Sequence, residues 1–386
     1  MDFTYPPEAE AFRAEVRAWL DANLPADLAH RRTTLDTDAE TLARLRAWNR
    51  ALADARYAAI AWPEEWGGRG ASVMEQVVYA EEMHRAGAPG TLNPIGLSNI
   101  APAIIEHGTD EQKRQLLPRM LRGDDIWCQG FSEPNAGSDL ASLRTRAVAD
   151  GDDWVVNGQK TWTTLGHLAN WCELLVRTDP DVPKHKGITC LLVDMTLPGI
   201  EVRPLITITG ERDFNEIFFT DVRVPRSATL GPVNEGWRVA MTTLAYERGT
   251  VAKLHLGTRA KVQRLIELAR TTPLGDGRMA ADDPVLRTKL ASVYLDAELL
   301  KLISDRALSA ELHGRAMGPE GSVAKLLWSE TEQRVADVAS DVLGPIALSG
   351  DWAHDRVYSR SFTIAGGTTQ VNKNIVAQRM LGLPRA

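Results

Sequence analysis

Apolar residues recur at helical spacing through the first third of the chain. Phe12, Val16, Trp19 and Leu20 fall on one face of a helix that stops at Asn23-Leu24-Pro25. A second amphipathic stretch, 41–57, runs into a turn rich in Trp, Pro and Gly at 60–68, for which a structural role is expected. Further helices are predicted at 74–86 and at 110–122, the latter opened by Thr109 and an acidic first turn. From 126 to about 224 the period shortens. The runs 154–156, 172–176, 188–193 and 217–220 alternate or are continuously apolar, and Asn157-Gly158 and Pro198-Gly199 read as hairpin-type turns. The polar, Pro-containing segment 179–186 reads as a surface loop. Long helical periods return at 236–271, 284–313, 321–343 and 369–380, with turns at Asp276-Gly277 and Met317-Gly318-Pro319. The pattern therefore predicts an α+β chain in three parts. These are an N-terminal helical domain at 1–124, a middle β-barrel or sandwich at 125–230, and a C-terminal four-helix bundle at 231–386.

With 386 residues there is enough chain for two or three packed units. Hydrophobic residues make up 44% and charged residues 25%, the balance of a globular protein. Lys and Arg total 44 against 51 Asp and Glu, and the resulting charge of -7 argues against nucleic acid as a partner. No apolar run reaches the length of a membrane span, and Met1-Asp2-Phe3 does not begin a signal peptide. Cys128, Cys172 and Cys190 show no metal-type spacing, and an odd count of thiols points to a reduced, cytoplasmic setting.

Two stretches carry the candidate chemistry. Residues 127–139 read WCQGFSEPNAGSD and 159–166 read QKTWTTLG, each a strand entering a polar turn with an aromatic among hydroxyl residues. A flat aromatic cofactor needs such surroundings. Trp162 can cover one face of a ring, and Ser132, Thr163 and Thr164 can hydrogen-bond its polar edge. The run Asn135-Ala136-Gly137-Ser138 lets the backbone approach a phosphate-bearing ligand. Either stretch alone is compatible with an ordinary β-turn. Together they resemble the flavin-binding middle domain of the acyl-CoA dehydrogenase family. The segment Trp62-Pro63 through Gly67-Gly68, the order helical–β–bundle and the ending Arg379-Met380-Leu381-Gly382 resemble that family over essentially the full chain.

The resemblance implies FAD as cofactor, an acyl-CoA thioester as substrate and an electron-transfer flavoprotein as electron acceptor. It implies a carboxylate base that takes the α proton while the β hydrogen leaves as hydride to the flavin. In many members the base lies in a C-terminal Glu-Gly-Thr turn. Here that turn reads Ala365-Gly366-Gly367-Thr368, so Gly366 stands in place of the Glu. A branch resembling isovaleryl-CoA dehydrogenase carries the base on the first bundle helix, where this chain has Tyr246-Glu247-Arg248-Gly249. Glu247 is the expected base and Arg248 a substrate-side residue. By the same matching, Gln129, Phe131, Ser132, Gly137, Ser138, Trp162, Thr163, Thr164, Thr368 and Gln370 are expected at the flavin, with Thr164 as the donor to N5. Ser138 is also placed near the CoA pyrophosphate, and the Gly366 N–H near the thioester oxygen.

The chain departs from the family where a neighbouring subunit would hold the adenine half of FAD. Residues 269–275 lack the Phe-Gly of an Arg-x-x-Phe-Gly motif, Asp283 stands near an expected Gln, and 340–345 replace a Gln-x-x-Gly-Gly turn. Carboxylates Asp283 and Asp341 are electrostatically wrong for a pyrophosphate. The expectation is a heterotetramer (α2β2) with a paralogous subunit and fewer FADs than chains. The alternative is an ordinary homotetramer in which Arg270 or Arg278 takes over. Other readings are a catalytically silent partner subunit, a flavin-dependent acyl-CoA oxidase, or a DNA-associated branch, which the acidic balance disfavours.

Overall fold

The amphipathic segments of the first third form five helices: α1 (Pro7–Asn23), α2 (Ala39–Asp54), α3 (Val73–Arg85), α4 (Ala101–His107) and α5 (Asp110–Leu121). The structure is a computed structural model that describes residues 5–30, 38–249, 253–275, 277–314 and 318–384. Helix α1 starts at a proline with Glu8 and Glu10 in its first turn, where a fixed φ and negative charge both suit a helix N-terminus. It buries Phe12, Val16 and Leu20. Asp38 caps α2 by accepting from the Thr41 N–H at 2.7 Å. Thr109 and Gln112 form a reciprocal capping box at α5. The 60–68 turn is structural, as expected: Trp62 is buried and its indole N–H donates to the Leu97 carbonyl at 3.0 Å. Helix α4 escaped the sequence reading because it is one short, proline-containing piece behind a π-helical turn at Gly96–Ile100.

The middle segment is one mixed sheet of eight strands: β1 (Trp127–Gly130), β2 (Arg146–Asp150), β3 (Asp153–Thr164), β4 (Trp171–Arg177), β5 (Ile188–Asp194), β6 (Ile200–Leu205), β7 (Phe214–Pro225) and β8 (Thr229–Leu230). Its order is β6-β7-β3-β2-β4-β5-β8, and β1 pairs in parallel with β4. One face gathers Val156, Cys172, Leu174, Val176, Leu191 and Ile217 into a continuous apolar core. Two turn expectations need correction. Asn157-Gly158 is not a hairpin loop but lies inside β3, where the ladder with β7 slips between Val156 and Gly158. A Cβ at Gly158 would stand 2.5 Å from Thr145 Oγ1, so glycine is there for close packing. The actual two-residue hairpin is Gly151-Asp152, between paired Asp150 and Asp153. Pro198-Gly199 is a turn, but the strands it joins do not pair with each other, since β6 pairs with β7.

Helices return as α6 (Gly236–Gly249), α7 (Leu254–Thr271), α8 (Pro284–Leu312), α9 (Glu320–Leu343), α10 (Gly350–Tyr358) and α11 (Thr369–Arg379). The single helix expected over 236–271 is thus two, on either side of 250–252, which lie outside the described residues. Of the expected turns, Asp276 and Met317 also lie outside them. Val262, Leu265, Leu290, Val293, Val335 and Val342 form the core of the long helices. Within it Glu332 accepts from Thr258 at 2.6 Å and from Lys261 at 2.8 Å, and Lys261 also pairs with Asp355 at 3.0 Å. The chain divides into two compact units, Met1–Gln76 with Arg85–Glu247, and Val77–His84 with Arg248–Ala386. Among the described residues no helix is long and apolar enough to cross a membrane.

Candidate active site

The two stretches singled out in the sequence are joined in the first unit. The Thr161 N–H donates to the Ser132 carbonyl at 2.9 Å. Lys160, fully buried on β3, sends its ammonium to the Phe131 carbonyl at 3.0 Å and to Glu133 Oε1 at 2.9 Å. Glu133 also accepts from the backbone N–H groups of Arg144 and Thr145 at 2.7 and 2.8 Å. Burial by itself would raise the Glu133 pKa; Lys160 and these donors more than reverse it, and the carboxyl is held below its usual range. Burial pulls the Lys160 pKa down against the same partner. With two acceptors at hydrogen-bond distance, the charged pair is the state that the geometry supports. The Glu133–Lys160 clamp was not seen in the sequence. Nothing in the separate residue types announces that a Glu after the Phe-Ser pair meets a Lys before the Thr-Trp pair.

The clamp fixes what projects from the turn. Glu133 and Ala136 close a tight backbone turn on each other, at 3.1 and 3.0 Å, leaving Gly137 and Ser138 exposed. A Cβ at Gly137 would meet nothing within 4 Å, so the backbone there is open to a ligand. On β3 the ladder slips again between Lys160 and Thr163, and Trp162 is extruded at the bulge. Its φ is +59°, in the left-handed region that a bulky side chain adopts only under constraint. Its side chain is 62% exposed and touches Phe214 only edge-on, with ring centroids 5.9 Å apart. Thr163, next to it, is buried with its hydroxyl unpartnered, while Asn215 holds its carbonyl at 3.0 Å. An exposed aromatic face beside an orphaned buried hydroxyl fits a flat ring with a polar edge. Thr164, next in sequence, and Ser132 of the other stretch are half-buried, and Phe131 is buried.

Behind this turn, on strand β1, Gln129 stands opposite Glu173 of β4. Glu173 is fully buried with no basic partner among the described residues, and burial pushes its pKa up to about 7. Thr243 of α6 donates to its Oε1 at 2.7 Å.

The remaining expected residues lie elsewhere. Glu247 and Arg248 are carried by the last turn of α6, but their side chains are outside the described residues. In the second unit Gly366 and Gly367 are exposed with φ of +63° and +88°, and Thr368 caps α11 by accepting from the Val371 N–H at 3.2 Å. Gln370 is exposed. Asp283 accepts from Val285 and Leu286 N–H as the cap of α8, and Asp341 pairs with Lys289 at 2.8 Å, so both carboxylates have structural work of their own.

Comparison with known proteins matches this architecture along the chain. The acyl-CoA dehydrogenase N-terminal domain matches residues 6–124, the middle domain 128–222 and the C-terminal domain 234–381. The chain is 40% identical over 390 residues to acyl-CoA dehydrogenase IpdE1 of Mycobacterium tuberculosis, covering 98% of each protein. Among solved structures, the Tcur3481–Tcur3483 steroid ACAD superposes with a TM-score of 0.87 at 31% identity over 100% of each chain. The ChsE4–ChsE5 complex from Mycobacterium tuberculosis does so at 0.83 and 34%, again over 100% of each chain. The chain belongs to the acyl-CoA dehydrogenase family, whose members are oxidoreductases acting on acyl-CoA thioesters.

Proposed function

We propose that this chain carries FAD and removes the α and β hydrogens of an acyl-CoA to give the trans-2-enoyl-CoA, passing the electrons to an electron-transfer flavoprotein. The observation that carries this is the extruded, left-handed, exposed Trp162 beside the orphaned Thr163 hydroxyl. FAD, when bound, accepts the β hydrogen as hydride. Trp162 covers one face of the ring, and Gln129, Phe131, Ser132, Thr163, Thr164, Thr368 and Gln370 contact the flavin, with Thr164 donating at N5. Gly137 and Ser138 take its phosphates, and Ser138 also the CoA pyrophosphate. Glu247 takes the α proton, and the Gly366 N–H stabilises the oxygen on which negative charge develops. Arg248 serves the substrate side. The missing side chain at Gly366 leaves room for a bulky acyl group. Names of the neighbours point the same way, since one of them is called a steroid ACAD. Anaerobic addition of a steroid-type acyl-CoA is expected to bleach the yellow protein; bleaching only by short straight chains would overturn the bulky-substrate reading.

Trp162→Ala tests the carrying observation. The side chain packs on little besides the edge of Phe214, so the flavin-free protein should change in stability by less than about 0.5 kcal/mol. Loss of ring stacking worth about 0.5–1.5 kcal/mol should weaken flavin binding by about twofold to tenfold. Unchanged flavin affinity would remove Trp162 from the site.

A paralogous subunit is the proposed partner. The ChsE4–ChsE5 neighbour is a complex of two differently named proteins. On α8 of this chain Leu295, Leu299 and Leu302 share one face and are 60%, 50% and 49% exposed, an apolar stripe suited to subunit contact. The replaced motifs at 269–275 and 340–345, with the carboxylates Asp283 and Asp341 nearby in sequence, leave this chain poorly equipped to hold a neighbour's pyrophosphate. The chain expressed alone is expected to be colourless, and with its paralogue to form an α2β2 assembly with fewer FADs than chains. A fully flavinated homotetramer would refute the pairing.

A further inference from the structure

Glu173 is the one strongly perturbed carboxyl among the described residues that the proposed chemistry does not use. Strand β4 is buried on both faces. Cys172, Leu174 and Val176 point into the apolar core, so Glu173 lies on the opposite face, where α6 supplies Thr243. Three elements meet its carboxyl. Thr243 of α6 donates to Oε1 at 2.7 Å, the Cys190 thiol of β5 lies 3.9 Å from the same oxygen, and Gln129 of β1 is its partner in the strand register. Of these only Cys190 titrates, and burial holds that thiol neutral. No cation faces Glu173 among the groups described around it.

Two atoms here are left over. Glu173 Oε2 and Gln129 Nε2 are both buried without a hydrogen bond of good geometry, although Gln129 stands beside the carboxyl. A buried orphan of either kind costs about 1–3 kcal/mol in general. Which way a side-chain amide points is interchangeable at the level of shape. If Oε2 carries a proton and the Gln129 amide is turned, the acid donates to the amide oxygen and the Oε2 orphan is satisfied. The amide nitrogen is then freed from a carboxyl that it does not reach well.

The two partners are the notable part. Gln129 lies on the strand that leads into the Phe131-Ser132 turn, and Thr243 lies one helical turn before Glu247 on α6. We propose that Glu173, as a neutral acid, is a positioning residue that ties the flavin-lining strand β1 to the helix carrying the base, and that its ionisation loosens this tie. The inference rests on the reading of Glu247 and the flavin site given above. It adds a device that aligns base and cofactor without touching either. An ionised Glu173 would be a buried anion among neutral donors, so β1 or α6 must shift to rehydrate it.

The sign of the pH effect follows. Burial raises the carboxyl's pKa in the folded state, so its stabilising contribution is whole below the ordinary carboxylate range. That contribution is lost as pH rises towards 7 and above. In the flavinated assembly, with its partner if one is required, the melting temperature of wild type should fall by several degrees between pH 5 and pH 8. kcat follows ionisation in the folded protein and should decline with a midpoint near 7, where the fall in melting temperature levels off. Glu173→Gln keeps the neutral shape and should lose both transitions while retaining most of kcat. Glu173→Leu and Thr243→Val should lower kcat about tenfold with KM within twofold and flavin content retained. A kcat unmoved in Glu173→Leu, or an alkaline decline that persists in Glu173→Gln, overturns the inference. Protein that holds flavin but is bleached by no acyl-CoA overturns the dehydrogenase reading instead. The inference is then judged on the flavin absorbance, which should shift with pH in wild type and not in Glu173→Gln. A chain that never binds flavin, alone or with its partner, overturns both.

Discussion

With Glu247 as the proposed base, Glu247→Gln is expected to reduce the rate at which acyl-CoA bleaches the bound flavin by roughly 10³-fold, within the range of about 10²–10⁴ that a positioned general base contributes. The size of the effect comes from the substrate. An α C–H is a poor acid in water, and the proton leaves only if a desolvated carboxylate is waiting and the thioester oxygen meets fixed donors. Gln matches Glu in shape and has no basic lone pair, so flavin content and substrate affinity should change little while the single-turnover rate collapses. No second carboxylate stands ready at the C-terminal turn, because Gly366 occupies that place. Stopped-flow absorbance under anaerobic conditions reads the rate directly. A Gln variant within tenfold of wild type would move the base elsewhere. A variant that loses flavin as well would show that Glu247 holds the site rather than acting in it.

The fold was largely written in the periodicity. The helices expected at 284–313, 321–343 and 369–380, the capped start of α5 at Thr109 and the switch to period two near residue 126 became the elements they predicted, whereas the run over 236–271 became two helices. What escaped was local and three-dimensional. Asn157-Gly158 has turn chemistry yet sits in a strand, because a bulge and close packing on Thr145 call for glycine as firmly as a turn does. Helix α4 is too short to show a period. At the candidate site, Trp162, Thr163 and Ser132 were legible as residue types suited to a flavin. The left-handed backbone that extrudes Trp162 was not, since it is imposed by the slipped ladder with β7. The buried acid Glu173 was invisible for a similar reason. In the run of β4 it is one polar letter between Cys172 and Leu174, and only the fold buries it against α6 with no cation beside it among the described residues. Sequence shows which groups are present; the register of neighbouring strands decides which of them end up desolvated.

That same logic gives the second large effect, at Lys160. Its ammonium is fully buried between Glu133 and the Phe131 carbonyl. Lys160→Met fills the space with a side chain of similar length and leaves the Glu133 carboxylate buried without its ion-pair partner, with the Arg144 and Thr145 N–H groups as donors and only the more distant pull of Arg177 as cation. Removing one partner of a buried pair costs about 3–5 kcal/mol, far more than the pair itself adds over an apolar replacement. Thermal unfolding should therefore come on the order of 5–10 °C earlier, at roughly 2 °C per kcal/mol for a large domain. The loss should deepen as pH rises through the carboxylate range, because an uncompensated Glu133 is tolerated when protonated and penalised when charged. Flavin content should fall too, since the clamp holds the Phe131-Ser132 turn against the strand bearing Trp162. Adding Glu133→Gln to Lys160→Met removes the stranded charge, so the double variant should be no less stable than Lys160→Met alone. Strict additivity of the two losses would mean that the residues act separately. In that case the two stretches are held together by the Thr161–Ser132 backbone contact rather than by the buried pair.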